Sequence, residues 1–304
     1  IFDKDKSRML DAAARREIDD STNQGGTSGP TVSAYRKALD IMGTKSDVEI
    51  KLLAVPGLRH PTVTDYAIDT VESRFDAMYI MDIEEKDALN SYITSSKPEG
   101  EFWADTASGE MQSVFPNVTY TSQQFRSRAL DSSFAAAYFP DLVLTDPTTL
   151  TNVQVPPSVG VLGAFALNDR VGYQWFAPAG FTRGAMSDVL LTRVSLNKDN
   201  KDLLYDSDIN PITPTPNNGI IVFGQKTLLQ AASALDRVNV RRLLIYIRRQ
   251  VRNVANRIIF EPNRQETLDK FNALVQPILQ TVQERSGVDR YKVIIDATTT
   301  TQTD

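Results

Sequence analysis

Cysteine is absent from the 304 residues, and histidine occurs once, at His60. Without cysteine there are no disulfides, thiolate nucleophiles or cysteine–zinc sites. His60 lies in a turn between Gly57 and Pro61, and no G-x-S-x-G elbow supplies the serine of a triad. Phosphate cradles are missing too: the chain has neither G-x-x-x-x-G-K-[ST] nor a strand-borne G-x-G-x-x-G. Asp206-Ser207-Asp208-Ile209-Asn210 begins like a calcium loop. Pro211 then stands where the turn glycine belongs, and Asn217 where the bidentate glutamate belongs. No apolar run approaches the roughly 18–20 residues that cross a bilayer. No basic-then-apolar segment opens the chain, so a cytosolic protein without membrane insertion is expected. These absences predict a non-enzyme with no catalytic residue, cofactor or metal.

The residues present are those of an ordinary globular chain, 41% hydrophobic and 23% charged with formal net charge −5, long enough for two domains. The first residue is Ile1 and the last eight are polar and threonine-rich, which suggests a piece of a longer protein. Periodicity predicts a charged helix over 5–18 and a glycine-bearing loop over 19–30, within an N-terminal unit 1–47. A strand over 48–55, the Pro56-Gly57 turn, a helix over 63–75 and an apolar strand over 77–83 form a βαβ unit with parallel strands. The unit opens an α/β domain, 48–150, carrying a variable surface insertion near 97–131 with a helix over 123–130. A strand over 134–144 is broken at Pro140 and so placed near a sheet edge.

The third region, 151–304, reads as a helix over 158–168, a loop over 177–184 and a strand over 190–196. A proline-rich break at 210–219, a strand over 220–223, two long helices over 236–258 and 265–285, and a strand over 291–296 follow. The fold class is α/β (mixed α+β): a central mixed sheet flanked by helices, with an inserted or additional smaller domain.

The first long helix carries seven arginines from Arg237 to Arg257 and no acidic residue until Glu261. Val240, Leu243, Leu244, Ile247, Val251, Val254 and Ile258 recur at amphipathic spacing and predict a core-facing band. Arg237, Arg241, Arg248 and Arg252 line one flank of that band, while Arg242 and Arg249 project nearly opposite. Burying seven apolar side chains at about 1.5–3 kcal/mol each outweighs like-charge repulsion of a few tenths per pair. The arginine stripe then needs acid, either local (Glu261, Glu266, Asp269) or on another molecule.

Four stretches together resemble the contractile tail sheath family of bacterial viruses and related contractile injection machines. They are LLAVPGLRHPTVTDYAIDTVESRFDAMYIMDI from Leu52, AAYFPDLVLTDP from Ala136, VPPSVGVLGAFALNDRVGYQWFAPAG from Val155, and the region from Gly219 to Asn263. The last holds Gly224-Gln225-Lys226-Thr227, Val238-Asn239-Val240-Arg241-Arg242 and Phe260-Glu261-Pro262-Asn263. The resemblance implies a structural subunit that polymerises around an inner tube and contracts to drive the tube through a cell envelope. Implied partners are other copies of the sheath subunit, the inner tail tube protein, and baseplate and tail terminator proteins. The implied location is the virion tail, assembled in the host cytoplasm. It also implies terminal polymerisation arms, here absent, so this chain is expected to be monomeric.

In that setting Arg237, Arg241, Arg242, Arg248, Arg249 and Arg252 would contact the tube or a neighbouring subunit, and Pro262 and Asn263 would stop one helix and cap the next. Two rival classes remain. A nucleic-acid-binding module could use the arginine helix, although the acidic net charge opposes direct nucleic-acid binding. A hydrolase with scattered carboxylates lacks a nucleophile and base.

Overall fold

The computed structural model describes residues 4–20, 22, 25–93, 102–104, 111–113, 116–216, 219–262 and 264–295; for 4–9, 102–104 and 111–113 it describes the backbone alone. The chain opens with α1 (Lys4–Asp19) and α2 (Pro30–Gly43), then β1 (Leu52–Ala54), α3 (Pro61–Arg74) and β2 (Met78–Asp82). A short hairpin, β3 (Phe102–Ala104) with β4 (Met111–Ser113), lies inside the expected insertion, and α4 (Val118–Ser127) follows. Next come β5 (Ala135–Phe139), β6 (Leu142–Thr145), β7 (Asn152–Val155), α5 (Pro157–Val171), α6 (Gly180–Arg183), β8 (Val189–Thr192) and α7 (Lys198–Asp206). β9 (Ile209–Thr215), β10 (Gly219–Val222), α8 (Val238–Ala255) and α9 (Gln265–Glu284) complete the described elements.

The main sheet has the order β1-β2-β5-β9-β10, with β1, β2, β5 and β9 parallel and β10 antiparallel to β9. Every residue of β2 and β5 is buried, as expected for strands covered on both faces. A second sheet, β7-β6-β8, is antiparallel. Its β6 begins three residues after β5 ends, so one stretch of chain serves both sheets. The mixed α/β architecture and the parallel βαβ unit match the sequence-based expectation.

Several local expectations do not hold. The strand predicted over 134–144 is not an edge strand: β5 is the middle strand of five, and Pro140 follows its last residue, where the chain turns towards β6. A proline there removes no ladder bond. The proline-rich 210–219 is no break, because β9 runs through Pro211 and Pro214. β5 pairs only with Ile209, Asn210 and Pro211, so Pro214 has no strand on that side needing an N–H. The N-terminal unit also holds α2, which begins at Pro30, where the expected loop ends, and whose first turn receives a carboxylate from α1. Glu17 accepts from the backbone nitrogens of Thr31 (3.0 Å) and Val32 (3.1 Å). Against the opposing effect of partial burial, these bonds hold the Glu17 carboxyl below its usual range.

Residues 291–295 form no strand, since no described strand lies beside them. α8 ends at Ala255, well before Pro262; the cap position of α9 is Arg264, and Asn263 lies outside the described residues.

The carboxyl ends of the parallel strands converge on a buried charge cluster. Arg59, from the turn after β1, reaches Asp141 Oδ1 at 2.6 Å and Glu85 Oε1 at 2.9 Å. Arg193, just after β8, meets Glu85 Oε2 at 3.2 Å, and Gln154 of β7 donates to Asp141 Oδ2 at 2.9 Å. From α1, Asp11 accepts the backbone N–H of Arg59 (3.2 Å), and Arg15 bonds both Asp11 and Glu84. Asp82, ending β2, accepts from Gly57 N (3.1 Å), Ser158 N (2.8 Å) and Ser158 Oγ (2.7 Å). Gly57 adopts φ 82°, which suits it to the turn that aims its N–H at Asp82. The cluster ties α1, both sheets and α5 into one body. It lies at the carboxyl ends of the strands, the side on which open α/β sheets usually bind ligands.

Candidate functional site

α8 is sandwiched between two layers, so it has two inner faces. Stepping about 100° per residue from Val240, Val238, Ile245, Arg249 and Arg242 fall between about 140° and 200°. This is the side that meets the main body: Val238 and Ile245 join the main core, and Arg242 is buried. The apolar band, expected to face that core, turns the other way. There Leu243 packs with Trp175 and with Val282 of α9, beside Tyr246 and Ile247, while Leu244 stays exposed. Trp175 stacks on Tyr173 at 4.9 Å and donates Nε1–H to Arg285 O at 3.0 Å.

The body accepts an arginine-rich face because it offers carboxylates, carbonyls and ring faces at matching positions. Arg242 Nη2 donates to both oxygens of Asp169, at 2.6 and 2.7 Å, and the guanidinium lies 4.8 Å from the Phe165 ring centre. Arg249 bonds Ile50 O at 2.6 Å and pairs with Glu49. Arg252 reaches Asp76 Oδ2 at 3.2 Å, and Asp76 also holds the buried Arg74 at 2.9 Å. Arg237 pairs with Asp236 (3.1 Å) and donates to the Tyr205 hydroxyl, which more than any other contact raises its pKa. Arg241 bonds Ser133 Oγ and sits 4.0 Å above Phe134; burial without a paired carboxylate pushes its pKa down. Its Nε is buried and finds no hydrogen-bond partner among the described residues.

Arg248 differs from these five. It is exposed, and among the described residues no carboxylate pairs with it. It lies 4.9 Å from the centre of the Phe75 ring, with Lys45 at 5.9 Å from the same ring. Burial, then the charges of Arg252 and Arg248, push the Lys45 pKa down. Arg74 and Arg252 therefore share one carboxylate, Asp76, with Lys45 and Arg248 close by on the Phe75 ring.

The structure thus brings Arg242, Arg249, Arg252 and Arg237 to intramolecular acids, and leaves Arg248 outward. The suggested local acids are not the partners: Glu261 pairs with Lys270 at 3.6 Å, and Asp269 accepts from Gln265. The true partners, Asp169, Glu49 and Asp76, are some 70–200 positions away, and no local spacing signals them. Among the described residues no group of three or more His, Asp or Glu could hold a metal ion, and no helix is long and apolar enough to cross a membrane.

No family model matches the chain. It is 29% identical over 241 residues to the tail sheath protein of Vibrio phage KVP40, covering 78% of this chain and 34% of that protein. To the tail sheath protein of Enterobacteria phage T4 it is 25% identical over 287 residues, covering 92% of this chain and 41% of that one. The chain therefore spans between a third and about two fifths of these curated relatives. Among solved structures, a chain of the anti-feeding prophage baseplate superposes with TM-score 0.61 at 19% identity, covering 88% of this chain and 64% of that chain. The PVC sheath complex of an extracellular contractile injection system, in its contracted state, gives 0.58 at 21%, covering 81% and 58%. The structural matches establish the fold. Together with the sequence matches they bear out the resemblance to contractile tail sheaths.

Proposed function

We propose that this chain is part of a contractile tail sheath subunit, which polymerises around an inner tube and shortens to drive that tube through a cell envelope. The observation that carries this reading is colinear similarity to a phage tail sheath protein over 92% of the chain, on a fold shared with contractile injection sheaths. The work is mechanical and performs no bond chemistry: the free energy lies in the difference between two sets of subunit contacts. Partners are other copies, the inner tube, and baseplate and terminator proteins, in a virion tail assembled in the host cytoplasm. The net charge of −5 and the inward-turned arginines favour this reading over a nucleic-acid-binding module.

Five of the six arginines are read as struts that fix α8 to the body, and Arg248 as the outward contact to an acidic tube. A pelleting assay of the full-length polypeptide carrying this chain, mixed with inner tube protein, tests both points. Co-sedimenting polymer is expected. Arg248→Glu should cut tube association about tenfold without moving Tm, consistent with a surface change away from the core. Polypeptide that stays in the supernatant, tube present or absent, would remove the sheath reading. Unchanged tube binding by the variant would remove Arg248 alone.

A further inference from the structure

The turn after α8 ends in a bare aromatic. Phe260 is 98% exposed and Ile259 69%, followed by Glu261, whose nearest cation is Lys270 at 3.6 Å. Two adjacent large apolar side chains, with an acid beside them, form a small patch of the chemistry that anchors protein contacts. At the other end of the same helix lies a cleft of about 480 Å³, whose lining includes Ala179, Tyr205, Pro211 and Phe223. Phe223 is itself half exposed. Lys201 and Arg237 line the cleft too, with one acid, Asp202. Gln225 also lines it.

Knob and cleft have matching chemistry. A phenylalanine ring fits a cavity of this size between Phe223 and Tyr205. A glutamate one residue on would be placed to reach Lys201, whose charge faces the cleft mouth beside Phe223. They cannot meet within one molecule. Arg237 sits at the amino end of α8 and the knob lies beyond its carboxyl end, separated by 18 helical residues, or roughly 27 Å of rigid rod.

We propose that residues 259–262 of one copy insert into the cleft lined by Tyr205 and Phe223 of a second copy. Complementary patches at different places on one chain make a heterologous, head-to-tail contact, which propagates into rings or open helices. The proposal names one contact of the self-assembly inferred above and rests on that reading.

A photo-crosslinking residue at position 260 provides the test, because replacing so exposed a side chain leaves the core untouched. The chain is irradiated at about 1 mM, a concentration suited to a weak single contact, and the products are mapped by mass spectrometry. The expected result is an intermolecular link to residues 177–180, 201–205 or 223–225. Glu261→Lys or Lys201→Glu should each cut its yield about tenfold, and the two together should restore it. Links mapping elsewhere, or monomer alone after irradiation, would overturn the contact. If the full-length polypeptide still forms polymer in that event, the sheath reading survives; if it forms none, both fail.

Discussion

Replacing Arg59 with leucine is expected to lower stability by about 3–5 kcal/mol, the range for removing one partner from a buried ion pair. In a chain of this size that is roughly a 10 °C fall in Tm. Arg59 is 3% exposed and bridges Asp141 and Glu85, and its backbone N–H is held by Asp11. A leucine would leave those carboxylates buried with less positive charge and unfasten α1 from both sheets. Acid should soften the loss, and the sign follows from Asp82. Burial raises the Asp82 carboxyl to about 6, against opposing effects of Arg59 and three hydrogen bonds. Because the folded state binds this proton more readily than the unfolded chain, the group favours folding increasingly as pH falls from about 7 towards 4. Without Arg59 the carboxyl is pushed higher still. The Tm gap between Arg59→Leu and the parent should therefore be smaller at pH 5 than at pH 8. A gap of under 2 °C at pH 8, or one that widens in acid, would contradict this account of the cluster.

Asn210→Ala should cost about 3 kcal/mol, because it strands the buried Ala137 carbonyl and two half-buried backbone groups of Lys226, at roughly 1–3 kcal/mol for a buried group before relaxation. The side chain is fully buried in β9. Its Nδ2 donates to Ala137 O (3.0 Å) and Lys226 O (2.8 Å), and its Oδ1 accepts from Lys226 N (2.7 Å). It thereby joins the central strand β5 to the Gly224-Gln225-Lys226-Thr227 segment that leads into α8. A Cβ on Gly224 would come within 2.7 Å of Asn210 Oδ1, so the glycine is required by this close approach. Asn210→Asp keeps the acceptor but loses both donors and buries a charge, so it should be no better than alanine. Urea denaturation monitored by circular dichroism reads both losses; an aspartate variant as stable as the parent would show that the donors carry little.

Much of the fold could be read from local pattern. The Pro-Gly turn between an apolar strand and a helix predicted the parallel βαβ unit, and both long helices were placed within about three residues of their observed ends. Local pattern failed where neighbours decide. Pro140, Pro211 and Pro214 suggested an edge and a break, but Pro140 and Pro214 sit where no partner strand needs an N–H, and Pro211 is held in the ladder opposite Phe139. The apolar band of α8 was correctly identified and wrongly oriented. A helix covered on both sides buries whichever face its neighbours can satisfy, and here distant carboxylates and ring faces satisfy the cationic one. The buried Arg59 cluster was invisible because its members come from separate segments spread between Asp11 and Arg193.

A helical reconstruction, by electron cryo-microscopy, of particles formed by the full-length polypeptide bears most directly on what this chain does. The account predicts a hollow tube of stacked subunits with this fold repeated in its wall, and with Phe260 of each subunit abutting another copy. Discrete, non-polymerising particles, or density for a small molecule turned over in a formed pocket, would contradict it.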